Sequence, residues 1–165
     1  MMVSRSRYII DTNVLIDLHR GQILKQFFAL PHLFISPDVV IDELHEPDGG
    51  MLMSLGLQRG ELSGERVLEV EALSVHHRNI AVNDLFALVL AASTRLTLLT
   101  GDSRLRNLAA KHNVRVHGTL WILDEMVAQR TLKSVEARRA LNNMLDNGSR
   151  FPLAECQTRL RQWER

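Results

Sequence analysis

The chain has 165 residues, 45% of them hydrophobic and 24% charged, with a formal net charge of +1 at pH 7. This length fits one domain with a sizeable core, and the composition is that of an ordinary folded soluble protein. The near-neutral balance excludes an overall basic field directed at nucleic acid.

Cysteine content and hydropathy set further limits. Cys156 is the only cysteine, which excludes a disulfide framework and a cysteine-based zinc site. No apolar run approaches the roughly 18–20 residues needed to cross a bilayer. Because residues 1–7 lead directly into a strand pattern instead of an export signal, we expect a cytoplasmic protein with no membrane contact.

Short apolar runs alternate with longer helical patterns along the chain. Such runs are too short and too continuously apolar for amphipathic helices and are therefore predicted to be strands. The five predicted strands are Arg7–Ile10, His32–Ser36, Arg66–Val70, Leu96–Thr100 and Val114–His117. This alternation predicts an α/β fold in which helices cover both faces of a parallel sheet and ligands bind at the carboxyl ends of the strands.

Several local signals refine this prediction. Ser36 followed by Pro37 is typical of an N-cap and the first position of a helix, and Asn83 is a candidate cap for a helix that begins at Asp84. Residues 47–64 contain five of the nine glycines, which favours a short helix with loose connections over a mobile flap.

The end of the chain differs in charge from the rest. Residues 130–165 hold 8 Lys and Arg against 4 Asp and Glu, whereas residues 1–129 hold 12 against 15. Ser134–Asp146 and Leu153–Trp163 are predicted to be helices. We therefore expect a core domain over residues 1–130 and a helical extension over 131–165 that packs on it. The basic tail either follows a phosphate backbone or is a solvated helix face.

Four acidic residues lie beside apolar sequence near predicted strand ends or helix starts: Asp11, Glu43, Asp84 and Asp102. A single acid after a strand is more often a helix cap than a metal ligand. Four gathered together would repel one another unless a cation neutralised them. Carboxylates without a His or Cys cluster suit Mg²⁺ or Mn²⁺, which can activate water for phosphodiester cleavage.

Four motifs in order resemble those of the PIN-domain nuclease family. They are Ile10-Asp11-Thr12-Asn13-Val14-Leu15, Val40-Ile41-Asp42-Glu43-Leu44, Asp84 before an Ala-rich helix, and Thr100-Gly101-Asp102-Ser103-Arg104-Leu105. The ending, Val116–Leu123 followed by two helices, resembles a prokaryotic PIN subgroup with a C-terminal helical extension.

The resemblance implies a Rossmann-like PIN fold and a Mg²⁺- or Mn²⁺-dependent ribonuclease that cleaves single-stranded RNA. The four acids would be catalytic and would bind the metal, with Thr12, Asn13, Thr100 and Ser103 as supporting polar residues. Many members of this size are VapC-type toxins held inactive by a small antitoxin protein. We further expect a homodimer, the commonest small assembly.

Other residues near these motifs have competing interpretations. Arg104 and Arg106 either bind RNA phosphates at the mouth of the site or hold the loop in shape. We expect Asp17 to be a solvated surface residue and Asp42, next to Glu43, to point away from the site. Trp121 is expected to pack in the core, and the few aromatic residues do not support a base-stacking platform.

Two other functions compete with the nuclease. A non-catalytic interaction or RNA-binding module would keep the fold, but it would not require a cluster of mutually repelling acids. A haloacid dehalogenase-type phosphatase also starts from an Asp after its first strand, but needs a second acid two residues later. Asn13 stands there instead, which counts against that chemistry.

Overall fold

In the computed structural model, which describes residues 5–164, five short strands form one sheet. The strands are β1 (Arg7–Ile10), β2 (Leu33–Pro37), β3 (Gln58–Gly60), β4 (Thr97–Leu99) and β5 (Val116–His117). Their order across the sheet is β3-β2-β1-β4-β5, and every neighbouring pair is parallel. The predicted α/β fold with a five-stranded parallel sheet is confirmed.

Helices link these strands and continue beyond the last of them. In the described range they are α1 (Thr12–Arg20), α2 (Leu24–Phe28), α3 (Asp38–Glu43), α4 (Gly49–Leu55), α5 (Gly64–His76), α6 (Val82–Thr94), α7 (Ser103–Lys111), α8 (Thr119–Ala128), α9 (Ser134–Asp146) and α10 (Leu153–Gln162). None of them is long and apolar enough to be a membrane span.

The predicted third strand is wrong. Residues 66–70 belong to helix α5, which begins after Ser63, whose hydroxyl accepts a hydrogen bond from the Arg66 amide at 3.4 Å. Only Val70 of that helix is buried, and Leu68 is 63% exposed, so the apolar run is the surface of a helix. The third strand is instead β3, which lies in the glycine-rich segment beside β2.

Two predicted helix caps are also wrong. Ser36 lies inside β2, and its hydroxyl donates a 2.7 Å hydrogen bond to the carbonyl oxygen of Ile10, so it fastens two strands together. Pro37 occupies the N-cap position and α3 begins at the next residue. Helix α6 begins before Asn83, with Ala81 at the N-cap, which leaves the Asn83 amide free to bind another side chain.

The two faces of the sheet bury two separate apolar clusters, because successive side chains of a strand point to opposite faces. Ile10 and Leu99 face a cluster that includes residues of α1, α8 and α9. Ile9 and Leu98 face the other cluster, built mainly by α6 and α7. The carboxyl ends of β1 and β4, next to each other in the sheet, therefore lie between two packed layers.

The C-terminal helices share the first of these clusters. Four residues of α9 are buried in it: Ala137, Ala140, Leu141 and Met144. Cys156 and Trp163 near the chain end are also buried there, with exposures of 2% and 5%. Residues 134–163 thus pack on the face that carries α1, the helix that follows β1.

Candidate active site

The topology places the site between β1 and β4. The chain leaves β1 toward β2 and β3 on one side, while β4 and β5 lie on the other, so this pair forms the switch point where open α/β sheets bind ligands. Ile10 pairs with Leu99 across the two strands, and the Asp11 amide donates to the Leu99 carbonyl at 3.0 Å. Asp11 and the residues after Leu99 are therefore held side by side.

Asp11 is the most buried acid of the site, with an exposure of 1%. One carboxylate oxygen, Oδ1, accepts from the Asn13 amide at 2.8 Å and caps α1; the other, Oδ2, accepts from the Thr100 hydroxyl at 2.5 Å. Burial raises the pKa of Asp11, the two hydrogen bonds oppose the rise, and the charges of Asp102 and Asp17 add to it. Each oxygen keeps a further lone pair for a cation.

Asp102 faces Asp11 across the switch point. Its Oδ1 accepts from the Leu105 amide at 2.9 Å and caps α7, while its own amide donates to the Thr100 hydroxyl at 3.2 Å. Thr100 is fully buried and thus links both acids through one hydroxyl. Two of the four predicted acids are helix caps, but capping engages only one oxygen of Asp102.

Asp84, unlike Asp11 and Asp102, does not cap a helix. It lies in the first turn of α6, and burial together with the charges of Asp11 and Asp102 raises its pKa to about 7. No hydrogen bond or cation from the described residues counters these effects. A carboxyl group left half-buried between two others, without compensation, is what a bound cation stabilises.

Glu43 lies at the margin of this group. It ends α3, is exposed, and its Oε2 accepts a 2.9 Å hydrogen bond from the side-chain amide of Asn83. Because Asn83 directly precedes Asp84, this bond joins α3 to the start of α6. The structure thus places Asp11, Asp84 and Asp102 close enough for their charges to affect one another. Glu43, the fourth acid, is hydrogen-bonded to Asn83, the residue before Asp84.

The oxygen-only donor set fits a hard divalent cation better than zinc or copper. As the side chains stand, however, no three His, Cys, Asp or Glu residues among positions 5–164 form a ready metal-binding group. A cation would be held by Asp11, Asp84 and Asp102, and Glu43, hydrogen-bonded to Asn83, would lie at the margin of this set. It would supply charge neutralisation and water activation.

The predicted supporting residues differ in their contacts. The Thr100 hydroxyl binds Asp11 directly, whereas Asn13 contributes through its backbone amide. Within the described chain, neither Thr12 nor Ser103 makes a side-chain hydrogen bond to an acid of the site. Helix α1 and helix α7 begin at these two residues, so their positions follow from the Asp caps.

The two predicted substrate-binding arginines point to different surroundings. Arg104 Nη1 donates to the Asn79 carbonyl at 3.2 Å, a contact that holds the loop before α6. Arg106 lies two residues further along α7, about half a turn away, so it points to another side of the helix and lies beside Gly118 at the start of α8. Only Arg106 lines a cavity next to the acids.

Asp17 is not the solvated surface residue that the sequence predicted. It is partly buried, and its two oxygens accept from the Thr119 hydroxyl at 2.9 Å and the Ser149 hydroxyl at 2.6 Å. Burial raises the pKa of Asp17, while these bonds and the charge of Arg20 oppose the rise. The two partners lie 102 and 132 positions away, so no local signal revealed them.

Asp42 lies outside the site. It is exposed and forms a bidentate ion pair with Arg59 of β3, with distances of 2.7 and 3.1 Å. This contact keeps the pKa of Asp42 below its ordinary value. Because it stands next to Glu43 but faces β3, Asp42 is a matched control for the four acids.

The fold and these carboxylates define a class, an α/β protein with an acidic centre at the switch point of its parallel sheet. A family model for the PIN domain matches residues 7–165, nearly the whole chain and both C-terminal helices. The chain therefore belongs to the PIN-domain family, whose members are generally nucleases that use divalent metal ions. The predicted family is confirmed, and no curated protein matches the sequence.

Proposed function

We propose that this protein is a Mg²⁺- or Mn²⁺-dependent endoribonuclease that hydrolyses phosphodiester bonds of single-stranded RNA. Asp84 carries the proposal. Its carboxyl group is half-buried beside Asp11 and Asp102, and only destabilising influences act on its charged form. A fold without metal chemistry gains nothing from such a group, whereas a divalent cation converts the repulsion into coordination.

Each residue of the site would have a distinct role in this reaction. Asp11, Asp84 and Asp102 would hold the cation and Glu43 would contribute from the edge of the site, while Thr100 keeps the Asp11 carboxylate oriented. The cation would activate the attacking water and stabilise the leaving oxygen. Single-stranded RNA as substrate is supported by the family resemblance, and the exposed Arg106, which lines the cavity next to the acids, would bind its phosphates.

A narrower proposal is that the nuclease is a toxin held inactive by a small antitoxin protein. Its support is that many prokaryotic PIN-domain proteins of this size are VapC-type toxins. We likewise propose a homodimer. Growth arrest on induced expression, abolished by Asp84→Asn, is the expected sign of a toxin; normal growth with an active purified nuclease would contradict it.

The direct test compares Asp84→Asn with Asp42→Asn, two substitutions that remove the same charge at neighbouring elements. Mn²⁺ and Mg²⁺ are titrated by calorimetry, and cleavage of a mixed-sequence single-stranded RNA is followed in the same samples. We expect Asp84→Asn to lower cleavage by more than about 100-fold, since losing even an outer partner of a metal ligand costs about 10- to 100-fold.

Asp42→Asn should bind metal and cleave as the wild type does. If the wild type binds neither ion and cleaves nothing, the alternative of a non-catalytic interaction or RNA-binding module replaces the nuclease. If Asp84→Asn cleaves normally, the acidic cluster is not the catalytic centre.

A further inference from the structure

A cavity of about 410 Å³ opens at the carboxyl end of β5, beside the acidic site. Its walls come from the loop after β4, from α7, from the start of α8 and from the segment between α9 and α10. The residues that matter here are Gly101, Arg106, His117, Trp121, Arg150 and Phe151.

The cavity and the acidic site share a wall. Gly101 lines the cavity, while its neighbours Thr100 and Asp102 belong to the acidic site. On the far side of this wall, a Cβ atom on Gly118 would lie 3.7 Å from the Thr100 carbonyl oxygen and 3.2 Å from Arg106 Nη2. The cavity therefore adjoins the loop that carries Thr100 and Asp102.

One side of the cavity is aromatic, although the few aromatic residues of the sequence predicted no base-stacking surface. The rings of His117 and Trp121 stack with a centroid separation of 4.0 Å and an interplanar angle of 6°. Burial and the charge of Arg115 lower the pKa of His117 against the opposing charge of Glu125, which favours the neutral imidazole. A flat, uncharged pair of rings, with Phe151 nearby, is the surface on which nucleic-acid bases stack.

The other side carries three arginines and one acid, Glu155, whose Oε2 lies 4.0 Å from Arg159 Nη1. Arg159 also lines the cavity, but its guanidinium is neutralised by Asp124, with three contacts of 2.8 to 3.1 Å. Arg106 and Arg150 are exposed and form no ion pair with any residue between positions 5 and 164. Two uncompensated guanidinium groups beside a stacked aromatic pair match the two parts of a nucleotide, its phosphate and its base.

We propose that this cavity is a nucleotide subsite of the nuclease, which binds the nucleotide next to the scissile phosphate. The base stacks against the His117–Trp121 pair, and Arg106 and Arg150 bind the adjoining phosphate. The inference rests on the proposed function, because it places single-stranded RNA at the acidic site. It also gives Arg106, which lines the cavity, a role that Arg104 does not share.

Binding is measured without catalysis. A mixed-sequence 8-nucleotide single-stranded RNA is titrated in EDTA into Trp163→Phe protein, in which Trp121 is the sole tryptophan and its fluorescence is the readout. The Arg106→Gln/Arg150→Gln double variant should bind at least about 10-fold more weakly. The slope of log affinity against log salt should fall in magnitude by about one to two, because each arginine that binds a phosphate contributes about one to that slope.

The control is Arg139→Gln/Arg161→Gln, which removes two exposed charges from α9 and α10 away from the cavity. It should bind within about 2-fold of the parent, since these residues make no specific contact. An RNA with abasic positions should bind through its phosphates but quench Trp121 much less than the intact RNA.

Three results would overturn the subsite: no binding by the parent, equal weakening in the two double variants, or equal quenching by abasic and intact RNA. The metal-dependent cleavage assay tests the nuclease separately from the subsite. If cleavage is lost in Asp84→Asn but any of these three results is found, the nuclease is supported and the subsite is not. If RNA binds at the cavity but the wild type never cleaves, the protein is an RNA-binding module.

Discussion

At the scale of single residues, the acids of the site carry structural and electrostatic roles together. Asp11 and Asp102 each cap a helix with one oxygen, and the Thr100 hydroxyl connects them. Either acid taken alone is explained as a cap. Helix capping does not explain two further features of the site. They are the buried Thr100 hydroxyl between the two acids and the half-buried Asp84 beside them.

Thr100→Val should weaken metal binding at the acidic site while keeping the shape of the site, because valine has nearly the same volume as threonine but no hydroxyl. Asp11 Oδ2 loses its hydrogen bond, which disfavours the charged form and the metal it would bind. We expect Mn²⁺ affinity, measured by calorimetry, to fall by about 10- to 100-fold, the usual effect of removing a partner of a metal ligand.

Thr97→Val is the control, since Thr97 begins β4 whereas Thr100 follows the other end of that strand. It should leave Mn²⁺ affinity unchanged. Equal affinities for wild type and Thr100→Val would show that the hydroxyl has no part in orienting the carboxylate.

The pKa of Asp84 predicts how stability depends on pH. An acid with a pKa of about 7 in the folded state and an ordinary value of 3.8 binds more protons when folded than when unfolded between these values. Its stabilising contribution is therefore complete below about pH 3.8 and is lost as the pH rises through about 7.

Urea unfolding of metal-free protein at pH 5 and pH 8 tests this dependence. The wild type should be less stable at pH 8, and Asp84→Asn should show a smaller loss, with Asp11 and Asp17 accounting for what remains. Mg²⁺ at pH 8 should restore stability to the wild type only. Parallel losses in both proteins would mean that Asp84 does not titrate in this range.

At the scale of elements, close packing contacts order the glycine-rich segment of residues 47–64. The glycine pattern of the sequence does not predict these contacts. The segment forms the predicted short helix α4 and, in addition, the unpredicted strand β3. A Cβ on Gly60 would lie 2.7 Å from Leu90 Cδ2 and 2.9 Å from Ile35 Cγ2, so glycine lets this strand pack against α6. A three-residue strand paired only on one side has no periodicity to read.

Gly49→Ala should destabilise the protein and disturb Glu43. A Cβ at position 49 would lie 2.2 Å from the Ile41 carbonyl oxygen, and backbone of α3 would have to move to admit it. Overpacking of this kind costs about 1–3 kcal/mol. We expect this loss in chemical denaturation, together with reduced cleavage because Glu43 ends α3.

Gly64→Ala is the matched substitution at the first residue of α5, where nothing lies within 4 Å of the added Cβ. It should be neutral or stabilising by up to about 1 kcal/mol through reduced freedom of the unfolded chain. Equal effects of the two substitutions would contradict the packing of α4 against α3.

At the scale of the whole molecule, the C-terminal helices support the layer that carries the site. Met144 of α9 is fully buried, and its Cε would lie 2.6 Å from a Cβ on Gly21, the residue that ends α1. Asp17 of α1 binds Ser149 after α9 and Thr119 of α8. The helix that Asp11 caps is thus held from several directions by the end of the chain.

Met144→Ala should therefore cost about 2–5 kcal/mol of the free energy of unfolding, the range for a large buried side chain cut to alanine. Val135→Ala on the same helix, at a residue that is 56% exposed, should stay within about 0.5 kcal/mol of wild type. Both are measured by urea unfolding. A negligible loss for Met144→Ala would show that α9 is not part of the cooperative core.

The sequence by itself indicated the fold class and four of the five strands found among residues 5–164, because buried parallel strands and amphipathic helices leave strong periodic signals. The family was indicated by the resemblance of four motifs to those of PIN-domain nucleases. The sequence also indicated the four acids, since carboxylates beside apolar strand ends are rare without a reason. Local helix-cap signals were less dependable. Ser36 and Asn83 resemble N-caps in the sequence, but their side chains form hydrogen bonds to residues distant in sequence.

Only the tertiary structure decided which of these groups meet. It brings Thr100 to Asp11 across 89 positions, partly buries Asp17 against partners more than a hundred positions away, and stacks His117 on Trp121 beside Arg106 and Arg150. The physical reason is that the switch point of a parallel sheet gathers segments distant in sequence. The pKa of each acid is then set by burial and by neighbours, which exist only in the folded chain.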